Sequence, residues 1–161
     1  MSCKDQLEHY LREQGVSFQE QQHAIAYTAQ DVAAKEHIPG KLVAKVVVVF
    51  ADTRPVMLVL PAPYRVDLSR IGQVLGAKEL RLADEVELRA LFPDCEVGAM
   101  PPFGALYHLP VYVDQSLEDD EYIVFPVGSH TETLRLAYAD FARLAQPSIA
   151  GFAHPPQEAL R

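Results

Sequence analysis

Three short stretches hold the groups that could do chemistry. The first is Lys45, at the mouth of the apolar run Val46-Val47-Val48-Val49-Phe50. An ammonium cannot enter an apolar layer unless it is paired, reaches water or gives up its proton. Lys45 is therefore either an edge residue with its head in solvent or the working end of a pocket. The second is the block from Cys95 to Gly104, where Gly98, Pro101, Pro102 and Gly104 make a stiff loop. Its backbone amides near the glycines are free to meet a ligand, and a tight turn between elements is the alternative reading. The third is Gly128-Ser129-His130, a small polar segment ending in histidine beside apolar strands. Such a set can bind an anion or a carbonyl and orient water, with backbone amides as electrophilic donors. It suits a substrate that supplies much of its own reactivity.

Other chemistries find no support in the spacing. Ser129 and His130 are adjacent, which points their side chains apart, and no Gly-x-Ser-x-Gly string occurs. His9, His23, His37, His108, His130 and His154 are scattered without the spacing of a metal site, so no metal is expected. Neither phosphate-loop nor dinucleotide-loop glycine patterns are present. Cys3 and Cys95 lie far apart in the sequence without Cys-x-x-Cys spacing, and are expected to be reduced and incidental. A formal charge of −8 argues against wrapping DNA or RNA along its backbone, and leaves a small end-on contact with a nucleic acid or a small-molecule substrate. No stretch approaches the roughly 18 apolar residues of a membrane span, and Met1 to Gln6 lacks the core of a signal peptide, so a soluble, intracellular protein is expected.

These groups need elements to position them. Ser2 with Asp5 opens a helix through Leu7, Tyr10 and Leu11 to Gly15, and residues 16–20 alternate as a half-exposed strand. Thr28 with Asp31 caps a helix ended by Pro39-Gly40. The Lys45 run reads as a central strand buried on both faces, because no polar position faces water. Asp52 to Pro55 is turn-like, and residues 56–60 then form a second strand in an antiparallel hairpin with the first. Asp67 and Asp84 cap amphipathic helices on either side of a short strand at Leu80-Arg81-Leu82. Strands at 109–114 and 122–125 follow, joined by the acidic run Glu118-Asp119-Asp120-Glu121 as a solvated hairpin tip. A last strand covers 134–138, Asp140 caps a short helix over Phe141 and Leu144, and the proline-containing tail from Gln146 packs loosely or stays mobile. The sum is an α/β chain of α+β character, one domain of 161 residues with a mixed, mainly antiparallel sheet wrapped by helices.

The residues also resemble a family. Leu42-Val43-Ala44-Lys45-Val46-Val47, Leu60-Pro61-Ala62, Gly98-Ala99-Met100-Pro101-Pro102 with Phe103-Gly104, and Gly128-Ser129-His130-Thr131-Glu132 occur in the order seen in the YbaK and prolyl-tRNA synthetase-associated editing domains. The likeness covers about residues 20–145. It implies the editing-domain fold and a trans-acting, cytoplasmic deacylase that hydrolyses the ester of a mischarged aminoacyl-tRNA, alanyl-tRNA(Pro) first and cysteinyl- or seryl-tRNA as alternatives, without metal or cofactor. By family analogy Lys45 is the catalytic lysine that holds the terminal adenosine or its phosphate. Gly98, Pro102, Gly104, Gly128, Ser129 and His130 match the substrate-binding loop and segment, and the terminal 2′-hydroxyl of the tRNA assists the reaction. The implied partners are the acceptor end of mischarged tRNA and a prolyl-tRNA synthetase. One departure stands out: relatives often carry an Asn-Ala-Gly or similar string before the Gly-x-His histidine, where this chain reads Pro126-Val127-Gly128. A non-catalytic tRNA- or protein-binding module on the same fold is the alternative, and a small-molecule hydrolase is a third reading.

Overall fold

The computed structural model describes residues 2–156. Helix α1 (Cys3–Glu13) starts on a reciprocal cap in which the Ser2 hydroxyl accepts from the Asp5 amide and the Asp5 carboxylate from the Ser2 amide. Leu7 and Leu11, one turn apart, are fully buried. Strand β1 (Gln19–Gln22) falls later than the alternation at 16–20 suggests, because Val16 is drawn into the core as α1 ends and the strand consists of four exposed polar residues held by backbone pairing to β8 and by Glu20 beside Lys4 at 3.5 Å. Thr28 caps α2 (Ala29–Glu36) as expected, but the helix stops at His37 in the left-handed conformation, before Pro39 and Gly40.

Strands β2 (Ala44–Ala51) and β3 (Arg54–Pro61) form the expected antiparallel hairpin, in register from Ala44↔Pro61 to Ala51↔Arg54. Only Asp52 and Thr53 turn the chain; Arg54 and Pro55 already belong to β3. Asp52 takes a φ of 58°, and its carboxylate accepts the Lys78 and Glu79 amides. Next come β4 (Arg65–Val66), α3 (Leu68–Leu75) on its Asp67 cap, β5 (Leu80–Leu82) and α4 (Glu85–Leu91) on its Asp84 cap.

The larger sheet has the order β5-β2-β3-β6-β9, with β6 (Val111–Asp114) parallel to β3 and β9 (Ser148–Ala150) parallel to β6. The central strand is thus β3, buried from Val56 to Pro61, and not the Lys45 strand. β5 is three residues long and covers only Val49–Ala51 of β2, so positions 45–47 are left half-buried at an open edge. A second sheet, β1-β8-β7, pairs β7 (Tyr122–Pro126) and β1 antiparallel to β8 (Glu132–Ala137), and a parallel bridge Val43↔Val124 joins the two sheets beside Lys45. The fold is the expected mixed, mainly antiparallel α/β domain, with its strands divided over three sheets rather than one.

Three readings of the second half are corrected. The acidic run is not a hairpin tip, since β6 and β7 lie in different sheets; Gln115–Asp119 is a 3-10 helix that buries Leu117, and Asp120 sits 3.7 Å from Lys41 with its side chain 5% exposed. Helix α5 (Tyr138–Ala145) begins one turn earlier than an Asp140 cap would set it. The tail does not pack loosely over its described part. β9 continues into Phe152, which is fully buried, and β10 (Ala153–His154) pairs with β4. The Asp114 carboxylate accepts both the Phe152 and Ala153 amides at 2.9 Å, which satisfies the buried backbone there. Residues 157–161 lie outside the described residues. Among the described residues no helix is long and apolar enough to cross a membrane.

Candidate functional site

Backbone hydrogen bonds lock the two loops together. The Glu96 amide donates to the Gly128 carbonyl at 2.9 Å, and the Gly128 amide donates to the Ala99 carbonyl at 2.7 Å. Gly128 has a φ of +95° and no room for a side chain: a Cβ there would lie 2.7 Å from Cys3 Cβ and 3.0 Å from Cys3 Sγ. The first turn of α1 is therefore the floor beneath the Gly-Ser-His segment. Cys3 and Cys95 are not incidental, since their sulfurs lie 2.7 Å apart and the Tyr107 hydroxyl donates to Cys3 at 3.3 Å. The Cys95 thiol holds Cys3 below the ordinary thiol range, whereas the hydrogen bond to Cys3, then burial, push Cys95 far above it. The two shifts belong to one pair that shares its protons.

This zippered pair of loops, the open end of β2 and the start of α2 enclose a cavity of about 330 Å³. Lys45, Gly98, Ser129 and His130 all line it, so four of the expected residues converge. Pro102 and Gly104 do not reach it. Both are buried, and Gly104 serves packing, because a Cβ there would meet the Leu109 carbonyl oxygen at 2.5 Å. Gly128 shapes the segment from below without lining the cavity. Most of the wall is small and apolar, with Ala26, Ala29, Val32, Val46, Ala62 and Pro126.

The polar groups have defined partners. Among the described residues Gly98, at φ +87°, donates its amide only to the Met100 sulfur at 3.3 Å, a weak acceptor that a ligand oxygen can displace. The Ser129 hydroxyl is 3.4 Å from both Thr131 Oγ1 and Glu132 Oε1, so it is not aligned on His130. The His130 amide donates to Glu96 at 3.0 Å, its Nε2 lies 3.7 Å from the same carboxylate, and its ring leans on Tyr27 at 4.9 Å between centroids. Among the described residues no ion pair involves Lys45. Burial, and next the charge of Arg65, lower the pKa of the Lys45 ammonium. A half-buried cation without a carboxylate among the described residues, above a largely apolar pocket, can bind an anion or a carbonyl oxygen.

Three contributors escaped the sequence. Tyr27, 70% exposed, and Gln30 come from the entry to α2, where Thr28 signalled only a cap. Glu96 lies within the loop already singled out, and its charge two residues before Gly98 was the available signal.

The fold and the matched stretches recur in known proteins. A sequence profile described as the aminoacyl-tRNA editing domain matches residues 23–144. The chain is 33% identical over 98 residues to the multifunctional Ser/Thr-tRNA deacylase ProXp-y of Escherichia coli, a stretch covering 60% of this chain and 58% of that protein. It is 35% identical over 130 residues to the proline–tRNA ligase of Thiobacillus denitrificans, covering 76% of this chain and 21% of the ligase. The matched stretch thus spans less than two thirds of the deacylase and about a fifth of the ligase. Among solved structures, one described as a candidate trans-editing enzyme for prolyl-tRNA synthetase superposes with a TM-score of 0.82 at 20% identity, over 96% of this chain and 98% of that one. The hypothetical protein APE2540 gives 0.84 at 17% identity, over 92% and 99%. With the profile matched across both zippered loops and the Lys45 strand, the chain belongs to the aminoacyl-tRNA editing domain family.

Proposed function

We propose that this chain hydrolyses, in trans, the ester of a mischarged aminoacyl-tRNA, with alanyl-tRNA(Pro) the preferred substrate. The observation that carries the reading is the convergence of Lys45, Gly98 and His130 on one small apolar cavity. The aminoacyl side chain lies against Ala26, Val32, Val46 and Ala62, where a methyl group leaves no polar atom unsatisfied. Lys45 holds the terminal nucleotide. The Gly98 amide exchanges the Met100 sulfur for the ester carbonyl oxygen as negative charge develops on it. Water adds to the acyl carbon, assisted by the vicinal 2′-hydroxyl of the terminal ribose. The carbon–oxygen ester bond breaks, the ribose oxygen leaves with a proton, and the amino acid and free tRNA are released. Aminoacyl esters are activated enough for positioning and carbonyl polarisation to suffice.

The likeness to proline–tRNA ligases supports tRNA(Pro) and a synthetase as partners, while the likeness to a Ser/Thr-tRNA deacylase makes seryl and threonyl esters the competitors. Binding alone separates such small side chains poorly, which is the reason for a separate editing site. The test is release of labelled amino acid from tRNA(Pro) charged with alanine, cysteine, serine, threonine or proline, with Lys45→Ala alongside. Selective alanine release that is lost in the variant is expected. A folded protein that hydrolyses none of these esters would instead be a binding module.

A further inference from the structure

The cavity shares lining residues with two neighbouring depressions, and charge distinguishes them. On one side it shares Tyr27 and His130 with a depression of about 650 Å³ whose charged residues are Glu85, Arg89 and Glu96, with Arg89 already paired to Glu85. On the other it shares Gln30 with a groove of about 750 Å³ lined by Arg65, His154 and three prolines and, among the described residues, by no carboxylate. A phosphodiester strand is repelled by the first side and accepted by the second. The prolines Pro63, Pro155 and Pro156 have no amide proton to offer, so a phosphate there must be held by a side chain. Arg65 is placed to do it. Its strand pairs Arg65 with His154, and His154 is in turn anchored 2.8 Å from Asp67.

Among the described residues Arg65, like Lys45, takes part in no ion pair. In a chain of net charge −8, two neighbouring cations left without carboxylates repel each other until a polyanion arrives. We propose that Arg65 holds a backbone phosphate of the single-stranded 3′ end of the substrate RNA, so that the strand leaves the ester cavity past Gln30 and runs along the Arg65 groove. The inference rests on the reading of the cavity as an aminoacyl-ester site, and it names the path by which the nucleic acid reaches that site.

The test uses a short single-stranded RNA ending in CCA and carrying no amino acid, labelled at its 5′ end and titrated by fluorescence anisotropy against the full chain. Arg65→Gln is expected to weaken binding about tenfold. It should also reduce the slope of log affinity against log salt by about 0.7, the loss of one phosphate contact on a single strand. Arg65→Lys should recover part of both, and Arg89→Gln in the other depression should bind within about twofold of wild type. Deacylation kinetics should place the Arg65→Gln defect in KM. The inference is overturned if Arg65→Gln binds like wild type, if Arg89→Gln weakens binding as much, or if wild type shows no saturable binding. Arg65-dependent binding without hydrolysis of any ester would leave the strand path standing and remove the deacylase reading instead.

Discussion

Replacing Lys45 by methionine separates the two jobs a buried lysine can have. Methionine keeps the unbranched stem on the apolar wall and deletes the ammonium, so packing is nearly conserved. If Lys45 stabilises the bound nucleotide or the charge developing on the ester, the loss is about 2–4 kcal/mol, which is about 30- to 1,000-fold in kcat/KM. Stability should move the other way. The ammonium is half-buried, has no ion-pair partner among the described residues and lies within the field of Arg65, so folding holds its pKa below the ordinary lysine value of 10.5. Removing such a charge gives about 1 kcal/mol, scaled down from fully buried cases because Lys45 retains solvent contact. For a chain of this length that is a Tm about 2–4 °C higher. The pH dependence fixes the sign. Below the lowered folded pKa, Lys45 is charged in both states and its cost is complete. As pH rises from there to 10.5 the folded state sheds the proton first, so the cost fades and the gap between variant and wild type closes. Deacylation assays and thermal melts at pH 7 and pH 10 measure both effects. A Tm several degrees lower at pH 7, or kcat/KM within threefold of wild type, would refute the reasoning.

Gly128→Ala should cost about 2–4 kcal/mol through the positive φ and the clash with Cys3, and Cys3→Gly should recover at least about 1 kcal/mol of it; urea melts showing no coupling would dismiss the contact. Burial, then the neighbouring Glu20 carboxylate, push Glu8 up to about 7 from 4.5. The folded state therefore keeps a proton that the unfolded state releases, and stability falls as pH rises between those values. Glu8→Gln should be neutral at pH 4 and more stable by up to about 3 kcal/mol at pH 8, as measured by chemical denaturation at both pH values. Phe152→Ala should destabilise by about 3–5 kcal/mol, where a mobile tail would give almost nothing.

What was legible in the sequence was mostly local. Ser2, Thr28, Asp67 and Asp84 cap helices through hydrogen bonds three residues ahead, and the β2–β3 hairpin joins neighbours through a two-residue turn. Nothing local marks β1, whose four residues are all exposed, or the parallel pairings of β3 with β6 and β6 with β9, which join segments far apart in the chain. The same split runs through the site. Lys45, Gly98, Ser129 and His130 announce themselves by residue type, whereas Cys3, Tyr27 and Arg65 acquire meaning only when the fold carries them to Gly128, His130 and Lys45.

The floor under Gly128 has a consequence for inheritance. The stretch that matches the editing family, residues 23–144, contains Lys45, Gly98 and His130, but neither Cys3 beneath Gly128 nor the His154 strand that steadies Arg65. A chain could thus keep the matched stretch intact while its flanks change, and a change of flank would move the support under the His130 segment or, on the proposed strand path, the hold on the incoming RNA. Selectivity in such a lineage could drift from the outside inward, without a single substitution among the residues that line the cavity.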